Sequence, residues 1–344
     1  MTKRFVLSID GGGVRGGIST SFLQKLETHI FQPFGATIQS ATSALGGTSA
    51  GSLIAAMLAV GVPVSKLNTE FFCASELAHT FSYTTLGSLP LIGRVFQQYD
   101  NDSKLKQIER FLGNHNVTLN DLSPRILLNT YNWTRQSVNL FHNFHPVGLP
   151  QARVADVIHA SSCPPYYFAP HQIPIPLHSK TEHPDKDWWT RYSDRVSGLH
   201  GAKDNDYHCD GGLACNTSDL TLYGLAKDYW PGDEIFMLSL GTGFSHADEY
   251  VHSPFSSSLF GISRTNMMDS LIKAPNECRS LECCLLIDAD HYIRIDHPLP
   301  QGISDSIDEH DQPHIDALRL LGEDWFDKDV ARLKNFFRNF FEPS

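Results

Sequence analysis

The chain has 344 residues and a formal net charge of −11, with 41% apolar and 11% aromatic residues. That length buries an ample core without disulfides or metals, and that composition excludes a disordered chain. The acidic balance argues against a nucleic-acid binder, which needs a basic surface to release counterions. No run of 18 apolar residues occurs, which excludes a membrane-spanning helix. Met1-Thr2-Lys3-Arg4 leads into Phe5–Ile9, a run too short for a signal-peptide core and without a small-residue cleavage site before the glycines. The expected location is therefore cytoplasmic or peripheral to a membrane. Export by a specialised system without a cleaved signal is also compatible with the sequence. The seven cysteines include no CxxC pair, so the sequence implies neither a zinc site nor a disulfide framework. Reduced thiols, buried as small hydrophobes, are the expectation.

In chain order, Phe5–Ile9 is a β-prone run that ends at Asp10-Gly11-Gly12-Gly13. Ile18, Phe22, Leu23 and Leu26 then have helical spacing. A second unit repeats the pattern. A weak strand near Ala41–Leu45 reaches Gly46-Gly47-Thr48-Ser49-Ala50-Gly51, and Ser52–Val60 is apolar nearly all round, as in a helix buried on most sides. It stops at Gly61, with Pro63 two residues on. Helices are predicted over 65–79 and 102–113. Arg125–Asn132 reads as a buried strand with Val138–Phe141 as its neighbour, and Val154–Ala160 as a short helix. The polar stretch 171–208, with Trp188-Trp189, reads as a lid or insertion. Ile235–Leu240 is another buried strand, closed by Gly241-Thr242-Gly243. Helical spacing returns over 312–341, so the expected organisation is a catalytic domain, 1–311, and a helical extension, 312–344. Strands alternating with helices, each strand ending at glycines, predict a three-layer α/β/α fold with a central, mostly parallel sheet.

Three constellations carry chemistry. Gly47-Thr48-Ser49-Ala50-Gly51 is a GxSxG between strand and helix. A sharp turn there strains the serine backbone and pushes its hydroxyl out, while the helix N-terminus favours a nucleophilic oxygen. By chance alone, GxSxG also arises in many chains. Asp10-Gly11-Gly12-Gly13-Val14-Arg15-Gly16 offers successive backbone N–H groups, an anion nest suited to an oxyanion. Arg15 would brace the loop or add positive potential. The GxGxxG at Gly11, Gly13 and Gly16 also matches a dinucleotide loop, but no acidic residue follows at the expected place. Asp210-Gly211-Gly212 would let an aspartate approach another loop closely; read alone, it is an ordinary turn.

These segments, in this order, resemble the patatin-like phospholipases. Ala160-Ser161-Ser162-Cys163-Pro164-Pro165-Tyr166-Tyr167-Phe168 resembles that family's ASxAxPxxF segment, and Leu238–Gly243 its SLGTG turn. The resemblance spans about residues 4–243. It implies a patatin-like fold and a serine–aspartate dyad without histidine: Ser49 as nucleophile, Asp210 as general base, and Gly11, Gly12, Gly13 and Arg15 as the oxyanion loop. Gly47, Thr48, Ala50 and Gly51 would form the elbow, and Gly211 and Gly212 the aspartate turn. The implied reaction is cleavage of carboxylic esters in phospholipids or other lipids at a membrane or micelle surface, through an acyl-enzyme and with no cofactor. The sequence does not specify a protein or nucleotide activator. Departures from the family include the weakly apolar Thr42–Gly46, the length of 171–208, and Asn216-Thr217-Ser218 in place of Asn-Asn-Pro.

Other readings follow from the same residues. The 17 histidines invite a triad, with His142, His145, His159, His208 and His291 as candidates, although none sits in a distinctive motif. DGGG and LGTG as phosphate loops would suit an actin-like or sugar-kinase-like ATPase. A non-catalytic binding protein could keep the same fold. The C-terminal aromatic face, flanked by Lys334 and Arg338, would either dock on the core or touch lipid.

Overall fold

The structure, a computed structural model, describes residues 1–85, 87–88, 97–114, 116–145, 149–174, 206–244 and 267–342, with side chains from 276 onward in the last segment. The strands are β1 (Lys3–Ile9), β2 (Thr42–Thr48), β3 (Arg125–Asn132), β4 (Ser137–His142), β5 (His171–Gln172), β6 (Tyr207–Asp210), β7 (Glu234–Leu240) and β8 (Tyr292–Ile295). The helices that build the layers are α1 (Gly16–Leu26), α2 (Ala50–Ala59), α3 (Ala74–Thr80), α4 (Asn101–Leu112), α5 (Val154–Ser161), α6 (Asp219–Tyr229), α7 (Met267–Leu286) and α8 (Gln312–Phe341).

The sheet runs β5-β6-β3-β2-β1-β7-β8, with β4 beside β3. The central pairs β1/β2, β1/β7, β2/β3 and β7/β8 are parallel, as the alternating pattern predicts. The pairs of β3 with β4 and β6, and of β5 with β6, are antiparallel. Burial on both faces explains the apolar strand sequences. On one face Phe5, Leu7 and Ile9 pack with α1, α2 and α8; on the other Val6, Ala44 and Met237 pack with α6. The side-chain period of two assigns neighbours along β1 to opposite layers.

Several elements differ from the sequence expectation. The strand expected at Ala41–Leu45 runs Thr42–Thr48 and carries Gly46 and Gly47 inside it. Its neighbours require those glycines: a Cβ at Gly46 would strike Leu222 of α6, and one at Gly47 the backbone of Gly51. The helix expected over 65–79 breaks into Val64–Lys66, a wide turn at Leu67–Phe71, and α3. Both ends of 171–208 form strand, β5 against β6; residues 175–205 of the expected lid, including Trp188-Trp189, lie outside the described residues.

α8 docks on the core and does not offer its aromatic face to lipid. Trp325, Phe326 and Phe337 are buried, with Phe337 edge-on to Phe5 at 5.2 Å and Phe326 edge-on to Phe22 at 5.9 Å. Lys334 and Arg338 stay on its exposed side. All seven cysteines are free; Cys163, Cys209, Cys215 and Cys283 are buried as expected, whereas Cys278 and Cys284 are exposed on α7. No helix among the described residues is long and apolar enough to cross a membrane.

Candidate active site

β3 organises the site. Along its side away from β4, Gly46, Gly47 and Thr48 of β2 pair with Leu127, Leu128 and Asn129. The next β3 residue, Thr130, pairs with Asp210 of the antiparallel β6. Two strands therefore meet end to end in one lane beside β3, with Thr48 opposite Asn129 and Asp210 opposite Thr130. Each chain must turn out of the sheet at that meeting point. Ser49 begins one turn and Gly211 the other.

Ser49 has φ 54° and ψ −124°, between β2 and the first residue of α2. A non-glycine residue held there costs about 1–3 kcal/mol and persists only where its surroundings over-determine it. Here Ser161 does much of the holding: its hydroxyl accepts the Ser49 N–H at 3.1 Å and donates to Asn129 O at 2.6 Å. The Ser52 hydroxyl donates to Ser49 O at 2.6 Å. Thr48 is anchored through its hydroxyl to Cys215 O at 2.9 Å. Gly51 lets α2 pass against the end of β1, where a Cβ would strike Ile9 O.

The Ser49 hydroxyl donates to Asp210 Oδ2 at 2.7 Å, and the other carboxylate oxygen accepts the Gly212 N–H at 2.8 Å. Burial pushes Asp210 up to about 6, against the opposing pull of Gly212, Ser49 and Lys104. Every candidate histidine lies elsewhere. His145 pairs with Asp228 at 3.0 Å, His208 bonds Asn139 at 3.0 Å, His159 meets His171 edge-on, and His291 packs on Phe236. His142 is driven down to about 3 by burial and by His145. Among the described residues no histidine bonds Ser49 or Asp210.

The glycine loop closes the other side. Gly11 is not a free donor: its N–H donates to Asn216 Oδ1 at 3.1 Å, and Asn216 Nδ2 returns a bond to Gly11 O at 3.2 Å. The N–H groups of Gly12 and Gly13 have no protein acceptor among the described residues. Arg15 braces the loop by donating to Gly12 O and Gly243 O, each at 3.3 Å. Behind the loop, Arg294 of β8 contacts Asp10 and Asp296 at 2.7 Å each and Asp219 at 3.8 Å. Burial raises Asp10 to about 7 despite that guanidinium.

Gly12, Gly13, Ser49, Asp210, Asn216 and Arg294 share a cleft of about 450 Å³. A second, apolar pocket starts at Ser49 and is walled by Leu53, Phe72, Leu77, Phe81 and Phe168. The two glycine loops read as phosphate loops are tied to each other, since the Thr242 hydroxyl donates to Gly11 O at 2.8 Å.

Sequence reasoning quoted Ser161, Asn216 and Thr242 inside family-like segments but gave them no role, and it missed Asn129, Arg294 and Lys104 as parts of this architecture. Lys104 carried a usable signal: it stands in line with Ile108 and Phe111, on the buried stripe of α4.

The patatin-like phospholipase family matches residues 7–220. The chain belongs to this family. Patatin-like protein 2 of Oryza sativa subsp. indica is 24% identical over 363 residues, covering 95% of this chain and 85% of its own. A protein of Escherichia coli (strain TW11681) described as a cGAMP-activated phospholipase is 23% identical, covering 96% of this chain and 92% of its own. Among solved structures, human GIVD cytosolic phospholipase A2 bound to methyl gamma-linolenyl fluorophosphonate aligns with a TM-score of 0.48 at 12% identity, over 99% of this chain and 59% of that one. The sheet described above is the central, mostly parallel sheet flanked by helices that the sequence predicts.

Proposed function

We propose that this patatin-like chain is a serine lipid acyl hydrolase of the phospholipase A type, working through Ser49 and Asp210. The observation that carries this reading is the 2.7 Å bond from the strained Ser49 hydroxyl to a buried carboxylate. Asp210 takes the hydroxyl proton as Ser49 Oγ attacks the ester carbonyl. The oxyanion forms toward the Gly12 and Gly13 amides, which have no protein acceptor among the described residues. The tetrahedral intermediate expels the alcohol, which takes the proton from Asp210. Water then gives its proton to Asp210 and attacks the acyl-serine, and the fatty acid leaves as the proton returns to Ser49 Oγ. The 450 Å³ cleft that holds Ser49, Gly12 and Gly13 has room for the ester, and the small apolar pocket beside Ser49 marks the side from which an acyl chain would approach.

A fluorophosphonate probe and mixed micelles of phosphatidylcholine and phosphatidylethanolamine test this directly. The wild-type chain is expected to take up the probe at Ser49 and to release free fatty acid, and Ser49→Ala to do neither. Absence of both from folded wild-type protein would overturn the reading. Because relatives include a cGAMP-activated phospholipase, the assay is run with and without that cyclic dinucleotide.

A further inference from the structure

Lys104 is 2% exposed, an unusual place for an ammonium. It reaches inward from α4 to the turn that follows α5. Its Nζ bonds Ser162 O, lies 3.4 Å from both His159 O and Cys163 Sγ, and sits 4.1 Å from the centre of the Phe168 ring. An ammonium has three protons and no lone pair, and all of these neighbours are acceptors or a ring face. The Cys163 thiol itself donates to His159 O at 3.0 Å. The surroundings are therefore built for the charged form, although burial pulls it toward neutrality.

The turn that Lys104 grips also carries the base. Cys163 O accepts the Asp210 N–H at 3.0 Å. Lys104 also lines the apolar pocket with Ser49. Asp210 is the carboxylate whose field acts on Lys104, and Lys104 is the cation whose field acts on Asp210. The other titratable groups around the pair come from α5 and its turn (His159, Cys163), from β5 (His171) and from β6 (His208, Cys209). Burial holds His159 and His208 in the neutral form and both thiols protonated.

We propose that Lys104 is a positioning residue for the Ser49–Asp210 pair: it fixes the Ser162–Cys163 turn that seats Asp210 and supplies the buried positive charge that keeps Asp210 ionised. This rests on the dyad reading. An opposite charge favours an ionised carboxylate, and its removal moves proton release to higher pH.

The test is the pH profile of kcat/KM for micellar ester cleavage in wild type, Lys104→Met, Lys104→Arg, and Asp210→Asn. Lys104→Met keeps the length of the side chain without the charge. It is expected to move the acidic limb upward, so that its loss relative to wild type is about tenfold greater at pH 5 than at pH 8. Lys104→Arg is expected to restore the position of the limb. A loss by Lys104→Met that is uniform across pH, or one confined to KM, assigns Lys104 to packing or acyl fit and overturns the proposal. If Lys104→Met does not fold, the Lys104→Arg limb must coincide with wild type; an upward shift there overturns it. An active Asp210→Asn would instead sink the dyad reading, independently of Lys104.

Discussion

Asn216 and Gly11 exchange two hydrogen bonds, the Gly11 N–H to Oδ1 at 3.1 Å and Nδ2 to the Gly11 carbonyl at 3.2 Å. The side chain thus copies a strand pairing and locks the first glycine of the loop to the turn that follows Asp210. With the Gly11 N–H engaged, the oxyanion donors of the proposed mechanism are Gly12 and Gly13. Asn216→Ala should therefore lower kcat by about 10- to 100-fold with little change in KM, because misplaced oxyanion donors act in the transition state. Steady-state kinetics on a soluble ester check this, and an unchanged kcat would show that the loop holds its shape unaided.

The dyad reading makes base and nucleophile one unit. Asp210→Asn should abolish ester cleavage as completely as Ser49→Ala. Single replacement of His142, His145, His159, His208 or His291 should leave most activity in the variants that fold. One folded histidine variant as inactive as Ser49→Ala would replace the dyad by a triad.

Activity should depend on pH more than a free aspartate would suggest. The reference carboxylate titrates near 3.9, but burial lifts Asp210 to about 6. Cleavage requires the ionised form, so kcat/KM should fall as pH drops through about 6. A profile flat down to pH 4.5 would contradict the assignment of Asp210 as base.

The same shift has a stability consequence of opposite sense. A carboxyl whose folded pKa is raised favours folding most fully below its unfolded value, and that advantage disappears as pH rises through the folded value. At pH 8 the ionised Asp210 is a cost. Asp210→Asn should thus be the more stable protein at pH 8, by on the order of 2 kcal/mol, while inactive. The amide can still accept from Gly212 and donate toward Ser49. Chemical denaturation at pH 5 and pH 8 measures the effect; equal stability at both would refute it.

Arg294 neutralises a group of buried carboxylates behind the glycine loop. Arg294→Met would leave Asp10, Asp219 and Asp296 without their guanidinium, and removal of one partner from a buried pair costs about 3–5 kcal/mol. A denaturation midpoint within error of wild type would remove Arg294 from the scaffold of the loop. Adding Asp10→Asn should recover part of the loss.

What the sequence determined by itself was local. The strand, elbow and helix around Ser49 follow from a GxSxG set before an apolar run, because only glycine tolerates the backbone contacts there. The glycine loop after β1 and the layer order follow from equally short-range rules of period and punctuation. Motifs separated by long stretches pointed to one family, and so to Ser49 and Asp210 together. Only the tertiary structure decided how they meet. The register of β3 brings β2 and β6 end to end, a relationship between residues 161 apart that no local pattern encodes. Burial, which lifts Asp210 to about 6, is a property of everything packed around it. The engagement of Gly11 by Asn216 and the seat of Lys104 are likewise set by distant partners. Backbone sterics are written residue by residue, whereas desolvation and long-range pairing exist only once the chain has closed on itself.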